Sequence, residues 1–212
     1  MIKALFSHLA FTKQAKARQL FKYTFTNING FKISKSAQTP KQLKQARYTY
    51  GEVMYASFCD LLKMTNPQKN DVFCDLGSGI GKAVIIASMQ HPFSKAYGIE
   101  LIKELHQTSL ERITKFHAHR FTPSVLGATK LAFYNKDLLT HDLSSINVLY
   151  VNATAFIGDF WEDVHQHLKS CKSGTRVILV SKRLDPKLFK EIAYLPSNMT
   201  WGFASVFVYI KK

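Results

Sequence analysis

Asp75-Leu76-Gly77-Ser78-Gly79-Ile80-Gly81, with Glu100 further along, is the stretch whose residue types and spacing carry most chemistry. The apolar run Val72 to Leu76 leads into the glycines. Lys82 to Met89 then has the composition of a buried helix, and Ala96 to Ile99 reads as a second strand that ends on the acid. Strand, glycine turn, helix and strand form one βαβ unit. Its ligand belongs at the carboxyl end of the first strand, where glycines admit a close approach and the helix start offers unpaired N–H groups. Spacing excludes two ligand classes. A dinucleotide fingerprint requires glycine or alanine where Lys82 stands, and a phosphate loop requires Ser or Thr at Ala83 and glycine at Leu76. Asp75 would repel a pyrophosphate and suits a cationic amino acid; Glu100 suits the two hydroxyls of a ribose, which one carboxylate can accept together.

The elements that must position these residues alternate. A helix is expected from Glu52 through Val53, Met54, Ala56, Phe58, Leu61 and Leu62, with its acid in the first turn. Leu101 to Arg120 reads as a polar helix, Phe121 to Thr129 as a loop and Leu131 to Tyr134 as a third strand that runs into Asn135-Lys136-Asp137-Leu138. Ile146 to Val151 is the fourth strand and stops at Asn152. Asp159 to Cys171 is a helix, Thr175 to Val180 the fifth strand, residues 185–192 a short helix, and Trp201 to Ile210 one or two closing antiparallel strands. The alternation predicts an α/β, Rossmann-like doubly wound, mainly parallel seven-stranded sheet with a basic N-terminal helical extension.

The extension, residues 1–47, precedes a catalytic-type domain at 48–212. Residues 1–51 hold ten Lys or Arg and no Asp or Glu, two thirds of a formal charge of +15 in a chain of 212 residues. Residues 2–25 have helical apolar spacing at Leu5, Leu9, Phe11, Leu20 and Phe21. Asn27 to Gly30 reads as a turn, Ser34 to Pro40 as a linker and Lys41 to Arg47 as a short helix. Such an arm engages polyanions or acidic partners, so nucleic-acid contact through residues 1–47 is expected; aromatics among its charges equally serve to pin an arm to its own domain. No run approaches a membrane span, and the N-terminus lacks secretory character. Three widely spaced cysteines, with no paired motif, read as reduced core thiols in a cytoplasmic monomer, and the histidine pairs lack metal-ligand spacing.

The D-x-G-x-G-x-G turn with its downstream acid is similar to that of Rossmann-like methyltransferases that use S-adenosyl-L-methionine. Taken with Tyr50-Gly51-Glu52, Lys136-Asp137-Leu138, Asn152 through Phe156, Val180-Ser181-Lys182 and Trp201-Gly202, it resembles the histone lysine methyltransferases of the disruptor-of-telomeric-silencing (Dot) type and their short prokaryotic relatives. The resemblance implies a methyltransferase that acts on a protein lysine. Glu52, Asp75 and Gly77 would hold the methionine part of the cofactor, Glu100 the ribose, and Asp137 with Leu138 the adenine, with Gly79 and Lys82 also cofactor-binding. Asn152, Tyr50 and Trp201 would border the acceptor, with Asn152 aiming the amine through its carbonyl oxygen and Phe156 helping to wall a desolvating channel. Asp137 as a plain turn residue and Asn152 as a loop cap are the structural alternatives. The chain departs from the pattern at Lys82, Ala153, Thr154 and Val208. The other reading is a nucleic-acid methyltransferase, favoured by the basic arm but lacking the Asn/Asp-Pro-Pro-aromatic motif common in base methylation.

Overall fold

The structure, a computed structural model, describes residues 2–45 and 48–212, with side chains from residue 13 onward except that of residue 43. The strands are β1 (Val72–Leu76), β2 (Lys95–Glu100), β3 (Lys130–Asn135), β4 (Val148–Asn152), β5 (Arg176–Val180), β6 (Phe189–Met199) and β7 (Gly202–Lys211). They form one sheet in the order β3-β2-β1-β4-β5-β7-β6. β1 to β5 are parallel, while β7 runs antiparallel to both β5 and β6. The chain thus reverses its direction of travel across the sheet between β1 and β4, which opens a crevice outside their carboxyl ends.

The two-residue period of β1 sends Phe73 and Asp75 to one face and Cys74 and Leu76 to the other. Phe73 packs with Phe58 of α3 (Tyr55–Met64), Val84 of α4 (Lys82–Gln90) and Tyr150. Cys74 and Leu76 pack with Leu149, Val151 and, from a helix that follows β4 (Gly158–Leu168), Val164 and Leu168. Every residue from Ala83 to Met89 is buried, because α4 is covered on the side away from the sheet as well. That cover comes from α1 (Ile2–Phe25): Ala17, Leu20 and Phe25 join Ile80, Ile85 and Met89, together with Leu105 and Phe116 of α5 (Lys103–His117). Arg18 and Lys22, between those positions, and Lys13 before them stay exposed. The expected apolar positions Leu5, Leu9 and Phe11 lie outside the described side chains, and Arg47 outside the described residues.

Four expectations change. Ser34 to Pro40 is no linker: Gly30–Ala37 is a helix, α2, because Asn29 Oδ1 accepts from Lys32 N at 3.0 Å and Ile33 and Ala37 pack inward four residues apart. The helix expected from Glu52 starts at Tyr55, since the Glu52 carbonyl is taken by Thr200 N (3.3 Å) and Thr200 Oγ1 (3.1 Å), and Val53 bridges to Met199. Phe121 to Thr129 is not all loop: Thr122–Leu126 is α6, with proline in its first turn. The short helix at 185–192 is absent; Phe189 onward pairs with β7 over eleven residues, with a bulge between Glu191 and Ala193. The helix after β4 is α7. No helix among the described residues is long and apolar enough to cross a membrane. Cys59, Cys74 and Cys171 are free and buried.

Leu20 is fully buried at the α1–α4 contact. Leu20→Ala should therefore cost about 2–5 kcal/mol in denaturant unfolding, the usual penalty for a core leucine. A loss below about 0.5 kcal/mol, the surface range, would show that α1 is not part of the cooperative core.

Candidate functional site

Glu100 ends β2 and is 7% exposed. Its Oε2 accepts from Gly79 N at 2.7 Å and its Oε1 from Ile102 N at 2.8 Å, so one carboxylate ties the glycine turn to the start of α5. Burial raises its pKa, against the lowering effect of those backbone donors. Each oxygen keeps a lone pair for a further donor, and Glu100 lines the cleft with Gly77, Asp137 and Asn152. The two glycines of the turn do different things. Gly77 has φ +86 with nothing within 4 Å of where a Cβ would stand, and it lines the cleft. Gly79, at φ +54, carries the Tyr50 ring, 2.4 Å from its absent Cβ. Gly79 therefore seats a tyrosine and positions Glu100; it does not face the cleft.

Tyr50 reaches that seat because α2 begins at Gly30, where a side chain would strike the Tyr50 hydroxyl and Glu52, and Phe31 meets the tyrosine ring edge-on at 5.2 Å. Its hydroxyl donates to Glu52 Oε1 at 2.7 Å, and Lys82 Nζ donates to Glu52 Oε2 at 2.5 Å. Burial, then the Glu52 carboxylate, holds the Tyr50 phenol well above its usual range, so it stays a donor. Glu52, Lys82 and Asp75 line one cavity with Gly77 and Tyr150. Asp75 is 3% exposed, and its Oδ1 has no hydrogen-bond partner. Burial first, and then the Glu100 charge, push its carboxyl well above the ordinary range. Beside it, in register on β4, the Tyr150 hydroxyl is also buried without a partner. With Ser78 Oγ, likewise buried without a partner, three orphaned polar groups belong to residues that line the cavity and call for a ligand with a polar or cationic end.

On the far side of the cleft Asp137 caps a 3-10 turn, accepting from Leu139 N at 3.1 Å, and Leu138 is buried beside it. Phe156 stands here too, edge-on to Phe160 at 4.8 Å, and not at the acceptor opening where it was expected. The opening is lined by Thr49, Tyr50, Gly51, Asn152, Thr154, Ala155 and Trp201. Asn152 is the last residue of β4. Its Oδ1 accepts from Thr154 Oγ1 at 2.9 Å, and Thr154 Oγ1 lies 3.0 Å from Ser181 Oγ. Trp201 comes from the β6–β7 turn, 38% exposed. A Cβ on Gly51 would stand 2.6 Å from the Trp201 ring and 3.1 Å from Asn152 Nδ2, so Gly51 is the neck between cleft and opening.

Ten of the eleven candidate residues thus line one connected crevice, most of them just beyond the carboxyl ends of β1 to β4 and Trp201 from the β6–β7 turn, while Gly79 lies behind Tyr50. Tyr150 and the Thr154–Ser181 pair were missed. The two-residue period of β4 carries a signal for Tyr150, placing it on the Asp75 face; Val180-Ser181-Lys182 is one of the segments that carry the resemblance, but the approach of Ser181 to Thr154 depends on β5 lying next to β4.

Seven strands in this order, with the crevice at the carboxyl ends of β1 and β4, define the fold of a class I methyltransferase. A magnesium protoporphyrin IX methyltransferase from Synechocystis, solved with bound S-adenosylmethionine, covers 88% of the chain with 99% of its own at a TM-score of 0.57 and 10% identity. An RNA methyltransferase from Salinibacter ruber, solved with S-adenosyl-L-homocysteine, covers 74% of the chain with 90% of its own at a TM-score of 0.56 and 19% identity. Residues 31–199 match the family described as "Histone methylation protein DOT1", and the chain belongs to that family of S-adenosylmethionine-dependent methyltransferases. A histone-lysine N-methyltransferase of Candida glabrata, H3 lysine-79 specific, is 28% identical over 179 residues, 81% of this chain and 27% of that protein. One of Dictyostelium discoideum, with the same description, is 27% identical over 72% of this chain and 9% of its own length. The chain therefore spans about a quarter or less of these two relatives.

The raised carboxyl of Asp75 has a stability consequence. The folded protein keeps a proton there that the unfolded chain releases, so its contribution is full at acid pH and is lost as pH rises above the ordinary carboxylate range toward the raised value. Asp75→Asn should unfold at higher denaturant than wild type at neutral pH, with the gap closing as pH falls toward 4, roughly the unfolded carboxylate's titration range. A gap that is independent of pH would refute the assignment.

Proposed function

We propose that the protein transfers a methyl group from S-adenosylmethionine to the ε-amine of a lysine in another protein. The observation that carries this reading is the narrow opening at Gly51, Asn152 and Trp201, which joins the cofactor cleft to solvent. Family membership and relatives described as acting on histone H3 lysine 79 support lysine as the acceptor.

When bound, the cofactor supplies an electrophilic methyl group for in-line displacement. Asp75 would take the ligand's ammonium, Gly77 would let it approach, Glu100 would accept from ribose hydroxyls, and Asp137 with Leu138 would hold the base. An acceptor lysine must arrive without its extra proton, because an ammonium has no lone pair. The Trp201 and Tyr50 rings strip water from it and so lower its pKa. Asn152 Oδ1, which accepts from the Thr154 hydroxyl at 2.9 Å and from Thr154 N at a long 3.4 Å, takes one amine N–H in place of that longer bond and fixes the direction of attack.

The second reading, methylation of nucleic acid, is favoured by the positive, aromatic face where α1 lies on α5. There Lys115 sits 4.7 Å from the Tyr23 ring, Lys16 5.8 Å and Arg120 4.9 Å from the Phe121 ring.

Radiolabelled S-adenosylmethionine offered with histones or nucleosomes, total cell protein and total nucleic acid tests both. Label in protein, recovered as methyl-lysine, supports the first; label confined to nucleic acid refutes it. With the labelled acceptor in hand, Asn152→Ala should lower kcat about 100-fold, the scale of a lost transition-state hydrogen bond. Its Kd for S-adenosylhomocysteine should stay within about threefold, well under the ~1.4 kcal/mol that a tenfold change represents. Gly51→Ala should show the same split by crowding the neck.

A further inference from the structure

Phe203 and Ile157 are the most exposed large apolar side chains among the described residues, at 79% and 67%, and both stand close to the acceptor opening. Phe203 is two residues beyond Trp201, and Ile157 two beyond Ala155. Single apolar residues on a surface are ordinary, but Phe203 belongs to a larger face. The β6–β7 hairpin has two sides. Leu195 of β6, with Val206 and Val208 of β7, turns toward α3 and packs in one cluster with Phe58 and Leu61. Alternate positions point the other way. On that side Tyr194, Pro196 and Phe203 are all exposed, and the Tyr194 ring lies 5.2 Å from the buried Phe207 ring. One side of the hairpin is core, while the other is an aromatic sheet face left in water.

The bare face is continuous with the opening. Pro196 pairs with Ser205, the Ser205 carbonyl accepts from Ser181 N at 2.7 Å, and Ser181 Oγ lies 3.0 Å from Thr154 Oγ1 on the wall of the opening. Phe203 is two residues of strand from Ser205, a span of about 7 Å. Whatever covers this face must leave the opening usable. A second copy of the chain seated on Phe203 would obstruct it. Nucleic acid would find little to hold, because Arg183, 4.3 Å from the Phe207 ring, already pairs with Glu191 at 2.7 Å. The acceptor protein, which has to bring its lysine to the opening, is the occupant compatible with both.

We propose that the acceptor protein lays an extended segment across the opening, with an apolar side chain about three residues from the lysine packed on Phe203 and Tyr194 and the opposite flank packed on Ile157. These are specificity-determining residues: they touch neither the cofactor nor the reacting atoms, and they hold the substrate equally before and during methyl transfer. One aromatic anchor can dominate such a contact. The inference rests on the lysine reading above and adds to it which lysines are selected, those with an apolar neighbour at that spacing.

The test is the initial rate of methyl-lysine formation from radiolabelled S-adenosylmethionine in total cell protein, measured over a dilution series of that pool. Phe203→Ser should lower the rate in the dilute pool by about 10- to 100-fold, the worth of burying one phenylalanine side chain. The rate should recover toward wild type as the pool is concentrated, since binding is weakened and the chemical step is not. Phe203→Leu, which keeps apolar surface, should retain most of the wild-type rate, and Ile157→Ser should repeat the pattern of Phe203→Ser. Both positions are exposed, so the denaturant midpoint and the Kd for S-adenosylhomocysteine should match wild type. An unchanged rate in Phe203→Ser, or an equal loss at every dilution, would overturn the docking face and leave the lysine reading standing. Dimerisation of wild type that Phe203→Ser abolishes would give the face to a second copy and overturn the proposal as well. Label confined to nucleic acid would overturn the lysine reading, and the inference with it.

Discussion

The site depends on two carboxylates buried at the ends of neighbouring strands. Asp75 and Glu100 are each under a tenth exposed, and each has a raised pKa. Burying an ionised carboxylate costs several kcal/mol unless partners replace water. Glu100 finds two backbone donors and so becomes a structural strut between the glycine turn and α5. Asp75 finds none at Oδ1, so burial and the Glu100 charge raise the cost of its ionisation until a cation arrives. The difference divides their work: one holds the crevice in shape, while the other stores a cost that ligand binding relieves. Cofactor recognition on this fold is thus partly a matter of stability withheld from the empty protein.

Around that pair the cavity is sealed by pieces distant in sequence. Glu52 is held by its own carbonyl to Thr200, its side chain is shared between Tyr50 and Lys82, and Tyr50 rests on Gly79. Movement of the β6–β7 turn would therefore shift the wall of the cofactor cavity and the Trp201 side of the acceptor opening together. The N-terminal helix is bound into the same unit, since Phe25 packs in the α1 core cluster and the Lys82 ammonium lies 5.7 Å from its ring.

The βαβ unit from Val72 to Glu100 was legible because its signals are local: β-branched and apolar runs, glycines at fixed spacing, and an acid where a strand must end. The parallel order followed from alternation. Lost to sequence reading were features decided by partners far along the chain. Glu52 looked like a helix-start acid, and its bond to Thr200 with the Val53–Met199 bridge keeps it outside α3. Residues 185–192 have helical composition, yet pairing with β7 outweighs propensity. Gly79 looked like a ligand-facing glycine, but its missing side chain is filled by Tyr50 from the opposite side of the cleft. The turn expected at Asn27 to Gly30 does end α1, but the N-cap that Asn29 gives the next helix is not visible in it, because a turn and an N-cap use the same residue types.

The most direct measurement is the proton balance of cofactor binding. S-adenosylmethionine is titrated calorimetrically in two buffers of different ionisation enthalpy, at several pH values below the ligand ammonium's own titration near about 8. If Asp75 must ionise to receive the ammonium, binding releases protons, the release grows as pH falls, and affinity weakens in step. Binding with no proton release across that range would mean that Asp75 is already charged and partnered in the free protein, and the central role given to its burial would be wrong.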